Sequence, residues 1–287
     1  MRVISSVSEM RSHAASVKAE GRSVALVPTM GALHLGHLSL LEIARQSADV
    51  VLASIFVNPS QFGPGEDYAR YPRDLDGDLH KLAQAGVHAV FAPTVDDMYP
   101  DGAESHQVHV VPGMLTRHLC GPYRPGHFEG VATVVAMLFN ICLPDVAVFG
   151  RKDAQQYVIL RRMVRDLNFG IEIVGGETVR EPDGLALSSR NSYLTQAERQ
   201  QATVLYDAIT EAEKLLRRGE QDPSGVVHAM TERVAKSSIA TLQYAELVDS
   251  ESLQPVGHLE TGTEVIAALA VHFGKTRLID NVFVRVA

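Results

Sequence analysis

Two histidines three residues apart follow the first strongly apolar run of the chain. His34 and His37 lie in the segment PTMGALHLGH, residues 28–37, directly after residues 24–27, which predict a short buried strand. Residues 38–44 place leucine and alanine on one helical face, so the pattern predicts a strand, a glycine-bearing turn and a helix. Unpaired N–H groups and the positive dipole end make a helix N-terminus suitable for phosphate. Imidazoles at this position could stabilise the charge of a phosphoryl group during its transfer.

The same histidines are open to two other interpretations. Imidazole is a common metal ligand, and two histidines at the start of a surface helix need have no function. The chain has no His-Glu-X-X-His pattern and no cysteine-rich stretch, so a third metal ligand would have to come from a distant segment. The strand before the pair and the helix after it favour nucleotide binding over metal binding.

Composition narrows the possible classes of protein. With 287 residues, of which 46% are hydrophobic, the chain can form a substantial core and two unequal domains. Its net charge of −8 argues against broad nucleic-acid binding. Cys120 and Cys142 have no metal or redox spacing, which is typical of a reducing compartment. No signal-peptide pattern or membrane-length apolar segment is present, so we expect a cytoplasmic protein without a membrane partner.

Alternating strands and helices predict a doubly wound parallel sheet. Continuous apolar runs at residues 49–57, 89–92 and 146–149 are typical of strands buried on both faces. Helices are predicted over residues 3–20, 74–85, 131–142, 154–167, 195–218 and 224–237, and further strands over 170–174, 244–248, 263–271 and 276–284. From Gln221 onward the alternation of strands and helices gives way to one helix followed by three strands. We therefore expect an α/β domain over residues 1–190 and a smaller α+β domain over residues 191–287.

Four separated segments place polar residues at predicted corners of this sheet. The segments are residues 30–37, 58–61, 150–156 and 187–190. Because the carboxyl ends of parallel strands lie side by side, these loops can converge. His34, His37, Lys152 and Arg190 can carry positive charge, Gln61 and Gln156 offer amide donors and acceptors, and Ser188 and Ser189 offer hydroxyls. Singly, the lysine could be a solvated helix end, the serines caps and Gln156 a surface residue.

Five motifs together resemble one enzyme family. PTMGALHLGH, FVNPSQF, RPGHFEGVATVV, FGRKDAQQ and LALSSRNSYL, in this order and spacing, are similar to the pantoate–β-alanine ligases (pantothenate synthetases). This family belongs to the HIGH superfamily of nucleotidylyl transferases, whose other members share only the His-X-Gly-His corner. The similarity covers the whole chain and is densest between residues 28 and 194. It implies a Rossmann-like first domain that binds ATP and pantoate, and a second domain that closes over the site.

The resemblance also implies a role for individual residues. An ATP site would comprise Met30, Gly31, Ala32, Leu33, His34, Leu35, Gly36, His37, Gly150, Arg151, Lys152, Asp153, Val179, Leu187, Ser188, Ser189 and Arg190. The catalytic residues would be His34, His37, Lys152, Ser188, Ser189 and Arg190, with His37 as the proton donor. Gln61 would hold pantoate close to β-alanine, Gln156 would hold pantoate, and Met30 and Asn58 would complete the substrate site. Arg151 stands where the family usually has glutamate.

The implied reaction is the ATP-dependent condensation of (R)-pantoate with β-alanine to pantothenate, for coenzyme A biosynthesis. It would pass through a pantoyl adenylate and release AMP and pyrophosphate. The resemblance further implies Mg²⁺ as a cofactor, with ligands that the sequence leaves unknown, and a homodimer.

Three rival functions have different sequence requirements. A nucleotidylyltransferase acting on a phosphorylated acceptor would need more cationic residues, whereas Gln61 and Gln156 favour a hydroxy acid. A non-catalytic regulator would bind ATP without releasing pyrophosphate. A dinucleotide dehydrogenase is disfavoured, because no Gly-X-Gly-X-X-Gly follows the first strand.

Overall fold

The computed structural model describes residues 1–287 and contains two separate β-sheets. Six parallel strands, in the order β1-β4-β3-β2-β5-β6, form the larger sheet. The strands are β1 (Arg2–Ile4), β2 (Val24–Thr29), β3 (Val50–Ile55), β4 (Ala89–Phe91), β5 (Val146–Gly150) and β6 (Glu172–Gly176). The helices along this part of the chain are α1 (Val7–Ala19), α2 (Leu35–Ser47), α3 (Leu75–Gln84), α4 (Val95–Met98), α5 (His127–Cys142) and α6 (Ala154–Asp166).

The direction of the chain across this sheet reverses between β2 and β5. From β2 the chain runs outward through β3 to β4, and it later returns to β5, which pairs with β2 on its other side. In doubly wound sheets this reversal leaves a crevice at the carboxyl ends of the two strands, where ligands bind. The predicted α/β, doubly wound architecture is therefore confirmed, and the loops after β2 and β5 lie at its switch point.

Apolar side chains bury both faces of the central strands. Val24–Val27 of β2 and Val50–Ala53 of β3 are almost fully inaccessible to solvent. Helix α2 packs on β2 and β5 through Leu40 and Leu41. Twelve of the sixteen residues of α5 are buried, as expected for a helix that is apolar on nearly all sides.

A second core lies under the smaller sheet. Its antiparallel strands, β7 (Ala240–Asp249), β8 (Glu264–Phe273) and β9 (Thr276–Arg285), follow α7 (Gln196–Gln201), α8 (Val204–Arg217) and α9 (Pro223–Val234). Leu205, Ile209 and Leu216 of α8 join the buried residues of β8 in one apolar cluster. The smaller α+β part is confirmed. No helix in the structure combines the length and apolar character that crossing a bilayer would require.

The compact units of the chain are discontinuous in sequence. The N-terminal unit contains Met1–Pro112, Arg124–Arg151 and Ile159–Glu177, and the C-terminal unit contains Gly113–Tyr123, Lys152–Val158 and Thr178–Ala287. This division differs from a single boundary at residue 190. Buried hydrogen bonds from the Gln155 amide to the backbone of residues 115–120 explain part of the difference, because they join distant segments within the C-terminal unit.

Three elements differ from the sequence-based expectation. Residues 2–4 form β1, which pairs with β4, and the helix begins at Val7 after the Ser6 cap. A three-residue strand is too short to show a periodic pattern, so only its distant partner reveals it.

The single helix predicted over 195–218 is divided into α7 and α8. At the division the Thr203 hydroxyl donates to the Gln200 carbonyl oxygen at 3.5 Å. This side-chain hydrogen bond competes with the backbone hydrogen bonds of a continuous helix. The helix predicted from residue 131 already begins at His127.

One buried ion pair holds the 178–190 segment to β9. Arg180 donates two hydrogen bonds to Asp280, of 2.6 and 3.0 Å, and the Asp280 side chain is 1% exposed. We expect Asp280→Ala to lower the free energy of unfolding by about 3 kcal/mol, because it leaves a largely buried guanidinium without its carboxylate. Glu213→Ala, which removes the exposed Glu213–Arg217 pair of α8, should cost less than about 1 kcal/mol. Denaturant unfolding of both variants checks this, and equal losses would contradict it.

Candidate active site

A buried carboxylate shapes the turn between β2 and α2. Asp78 of α3 is 1% exposed, and its two oxygens accept hydrogen bonds from the backbone N–H groups of Ala32 and Leu33, at 2.7 and 2.8 Å. Gly31 has φ of +82°, and a Cβ there would lie 2.9 Å from Asp78 Oδ2. Glycine is therefore required at position 31 for two reasons: it adopts the positive φ without strain, and it leaves room for the Asp78 carboxylate.

The two histidines of the motif cap α2 reciprocally. Nδ1 of His34 accepts from the Gly36 N–H at 3.2 Å, and Nδ1 of His37 accepts from the His34 N–H at 3.3 Å. A Cβ on Gly36 would lie 2.9 Å from the His34 ring, so glycine provides the space that this cap needs. Two backbone donors that a helix start leaves without intrahelical partners are thereby satisfied by imidazoles.

This cap determines which ring nitrogen carries the proton. An Nδ1 that accepts a hydrogen bond has no proton of its own, so in the neutral ring the proton resides on Nε2. His34 and His37 are half-buried, and their ring centroids are 4.1 Å apart. The start of α2 thus combines a positive dipole end with two neighbouring imidazole N–H donors, an arrangement suited to an anion.

The turn after β3 brings two predicted substrate residues next to the turn after β2. Asn58 caps the 3₁₀ turn Pro59–Gln61, and Gln61 is its last residue. The two residues are 1% and 9% exposed. The Gln61 amide nitrogen lies 2.9 Å from the Met30 sulfur. Met30, Asn58 and Gln61 therefore lie together, as the sequence predicts for residues at neighbouring strand ends.

The corner after β5 contains the residue that departs from the family pattern. β5 ends at Gly150, and the 3₁₀ turn Arg151–Asp153 follows. Arg151 Nη1 lies 3.0 Å from a carboxylate oxygen of Glu177, just beyond the neighbouring strand β6. The positive charge at position 151 is thus paired at this edge of the sheet.

The C-terminal unit holds the remaining predicted residues. The Lys152 carbonyl accepts a 2.7 Å hydrogen bond from the Asn281 amide of β9. Leu187 N–H donates to the Val179 carbonyl at 2.9 Å, so these two residues pair across the base of one loop. Ser188 Oγ accepts from the Arg190 N–H at 3.2 Å and caps the 3₁₀ turn Ser189–Tyr193, which gives this serine a structural role.

Gln156 is half-buried on α6, whereas its neighbour Gln155 is 4% exposed and fully hydrogen-bonded. The Gln155 amide binds the Leu115 and His118 carbonyls and the Cys120 N–H at 2.8–2.9 Å. Gln155 therefore has a structural task, and Gln156 is the glutamine of this pair with accessible surface.

Several residues that shape the site were not predicted from the sequence. Asp78 lies in a helix with other aspartates, and no feature of the neighbouring sequence distinguishes it from them. Tyr99 and His127 also contact the turn at residues 58–61, from the end of α4 and the start of α5. For His127 the RPGHFEG motif was the available signal. For Asp78 and Tyr99 only burial beside a distant segment identifies the role.

No group of three or more His, Cys, Asp and Glu side chains is arranged to hold a metal ion. The protein side chains alone thus do not form a complete cage. Mg²⁺ is commonly held by one or two carboxylates together with substrate phosphates and water.

Comparisons with known proteins agree on one family. A family model described as pantoate-beta-alanine ligase matches residues 2–283. The chain is 57% identical over 294 residues to the pantothenate synthetase of Salinibacter ruber, covering 100% of this chain and 98% of the relative. The pantothenate synthetase structure from Thermus thermophilus superposes with a TM-score of 0.90 at 46% identity, covering 98% and 99% of the two chains. The pantoate-beta-alanine ligase of Francisella tularensis, solved with beta-gamma ATP and beta-alanine, gives a TM-score of 0.80 at 33% identity, covering 98% and 97%.

The Asp78 contacts generate a testable prediction. Asp78→Asn replaces one acceptor oxygen by an NH₂ group that faces a backbone N–H, so we expect a loss of about 1–3 kcal/mol in stability. ATP should bind roughly tenfold more weakly, since about 1.4 kcal/mol corresponds to this factor. The matched control is Asp74→Asn at the exposed N-cap of α3, where asparagine caps as well as aspartate. Thermal unfolding and ATP titration of both variants check the prediction, which fails if both behave like the wild type.

Proposed function

The chain belongs to the pantoate–β-alanine ligase family, and we propose that it joins pantoate to β-alanine in two steps, of which the first consumes ATP. The observation that carries the proposal is the reciprocal histidine cap at the start of α2. It supplies fixed N–H donors at the switch point of the sheet, where a nucleotide phosphate would bind.

In the first step a carboxylate oxygen of pantoate attacks the α-phosphorus of ATP. The bond from this phosphorus to the bridging oxygen breaks, pyrophosphate leaves, and pantoyl adenylate remains. Charge develops on the phosphoryl oxygens during this step. Nε2–H of His37, supported by His34, would stabilise that charge by donating a hydrogen bond to the phosphate oxygens.

In the second step the amine of β-alanine attacks the acyl carbon of the adenylate. The bond from this carbon to the AMP oxygen breaks, the amine loses a proton, and pantothenate and AMP are released. AMP is a far better leaving group than the oxide ion of a free carboxylate, which explains the need for adenylation. The protein contributes mainly by positioning: Gln61 would hold pantoate beside β-alanine, with Met30 and Asn58 adjacent to its amide.

The family resemblance also gives nucleotide-binding roles to residues in the turn after β5 and in the loop before α7. Lys152 would bind the phosphates, and Val179 and Leu187 with Ser188, Ser189 and Arg190 would surround the nucleotide. The pairing of Val179 with Leu187 supports this, because it gives the loop a defined base. Gln156 would hold pantoate, since Gln155 is occupied by backbone partners. Arg151 would make little direct contribution, because Glu177 pairs with its guanidinium.

As the family resemblance implies, Mg²⁺ would enter with the phosphates of ATP and offset their charge. We further propose that the enzyme is a cytoplasmic homodimer, as the family resemblance implies.

Pantoate alone should support exchange of labelled pyrophosphate into ATP. If the adenylate forms first, this step is reversible before any amine is bound, and labelled pyrophosphate can attack the adenylate. The measurement is the label recovered in ATP with pantoate, Mg²⁺ and no β-alanine. An active enzyme that exchanges label only after β-alanine is added, or that produces ADP, would contradict the two-step mechanism.

His37→Asn should separate the capping role of His37 from its role in catalysis. Asparagine keeps a side-chain acceptor for the His34 N–H, much as Asp97 caps Thr94 in α4 of this chain, but it lacks the Nε2–H donor. We expect near wild-type melting with a loss of about 10²–10³ in kcat for adenylate formation. Exchange kinetics and a melting curve test this, and normal melting with near-normal turnover would show that the donor role is wrong.

A further inference from the structure

The amide of Asn58 is held in one orientation by backbone groups. Its Oδ1 accepts from the Ser60 N–H at 3.3 Å, and its Nδ2 donates to the Gly130 carbonyl at 3.2 Å. A backbone N–H can only donate and a carbonyl can only accept, so the two ends of the amide cannot exchange. The Tyr99 hydroxyl also donates to Oδ1, at 2.9 Å. Burial raises the pKa of Tyr99, so this hydroxyl remains a donor.

The orientation of Asn58 sets that of Gln61. Asn58 Nδ2 lies 3.4 Å from Gln61 Oε1, so the oxygen of Gln61 faces Asn58 and its NH₂ group faces the Met30 sulfur at 2.9 Å. A thioether sulfur is only a weak acceptor. A carboxylate or hydroxyl oxygen of a ligand would therefore be a better partner for this NH₂ group than Met30 is.

A second hydrogen-bonded chain reaches the backbone of Gln61. Arg124 forms a bidentate pair with Glu66, with both distances 2.7 Å, and its Nη1 lies 2.8 Å from His127 Nε2. His127 Nδ1 lies 2.7 Å from the Gln61 carbonyl oxygen.

These contacts fix the protonation of His127. Arginine has only donors, so His127 Nε2 must accept, and the carbonyl of Gln61 can only accept, so His127 Nδ1 must donate. His127 is therefore neutral with its proton on Nδ1. The first turn of α5 can approach this closely because residue 130 is glycine, since a Cβ there would collide with the backbone of Ser60.

We propose that His127 is a positioning residue that, together with the Tyr99–Asn58 pair, holds Gln61 as a fixed hydrogen-bond donor toward an oxygen of pantoate. His127 anchors the backbone of Gln61, and Asn58 orients its amide. The inference rests on the proposed function for the identity of the ligand, whereas the hydrogen-bond polarity is a property of the protein alone. The site accordingly selects a substrate with an acceptor oxygen at this point and disfavours analogues with a donor there.

Steady-state kinetics of the full-length enzyme test the positioning role. His127→Ala should lower kcat/KM for pantoate about tenfold and leave the KM for ATP within about twofold of wild type. His127→Asn should recover most of the loss, because its amide can place a donor near the position of Nδ1. Tyr99→Phe keeps the ring and removes only the hydroxyl, and should lower kcat/KM for pantoate roughly threefold. His80→Ala, an exposed histidine of α3, is the control and should change neither value.

Equal losses for pantoate and ATP in His127→Ala, or no rescue by asparagine, would overturn the positioning role. Should His127→Ala fail to fold, Tyr99→Phe and His127→Asn still decide the matter. Two results together would also overturn the positioning role. The first is a normal kcat/KM for pantoate in Tyr99→Phe, and the second is a kcat/KM for pantoate in His127→Asn that is no higher than in His127→Leu.

The tautomer of His127 provides a readout that needs no substrate. In ¹⁵N-histidine-labelled enzyme at neutral pH, the signal that disappears in His127→Asn should report a neutral ring with the proton on Nδ1. A proton on Nε2, or on both nitrogens, would overturn the hydrogen-bond chain. Lack of pantoate-dependent exchange in the wild type would instead overturn the proposed function, so the two failures are distinguishable.

Discussion

The turn from β2 into α2 has to satisfy several backbone N–H groups that no regular structure can pair. These donors lie at the switch point of the sheet, and side chains accept from the N–H groups of Ala32, Leu33, His34 and Gly36. An unpaired buried N–H costs about 1–3 kcal/mol. The turn therefore keeps its shape only because Asp78 and the two histidines are in place, and the remaining donors of this corner are held in fixed directions.

Side chains serve as hydrogen-bond partners of backbone groups elsewhere in the N-terminal unit as well. His34 and His37 accept through Nδ1, whereas His127 donates through Nδ1, so the three histidines serve as hydrogen-bond partners of defined polarity. Asn58 passes this polarity on to Gln61. Such a network costs little to maintain when each member is satisfied, and it presents the ligand with groups that do not need to reorient.

This arrangement would allow a chain with a net charge of −8 to accommodate the anionic ligand proposed above. Backbone dipoles and imidazole N–H groups act at the start of α2 without adding formal charge. Some of the guanidinium groups are paired instead: Arg151 with Glu177 and Arg124 with Glu66 in the N-terminal unit, and Arg180 with Asp280 in the C-terminal unit. Anion binding would thus depend on the direction of the local N–H groups and backbone dipoles more than on the net charge of the protein.

The alternation of buried strands and helices, the doubly wound sheet and the family could all be predicted from the sequence, because apolar periodicity and short motifs are local properties. The polar residues at strand ends, such as His34 and Gln61, were also predictable, since parallel strands end at one edge. The roles of Asp78 and His127 depend on the folded structure, because their partners Ala32 and Gln61 lie 46 and 66 residues away in the chain. A hydrogen bond over that separation leaves no periodic mark in the sequence. The same reason applies to the short β1, found through β4, and to the discontinuous units, whose distant segments are held together by contacts such as those of Gln155 with residues 115–120.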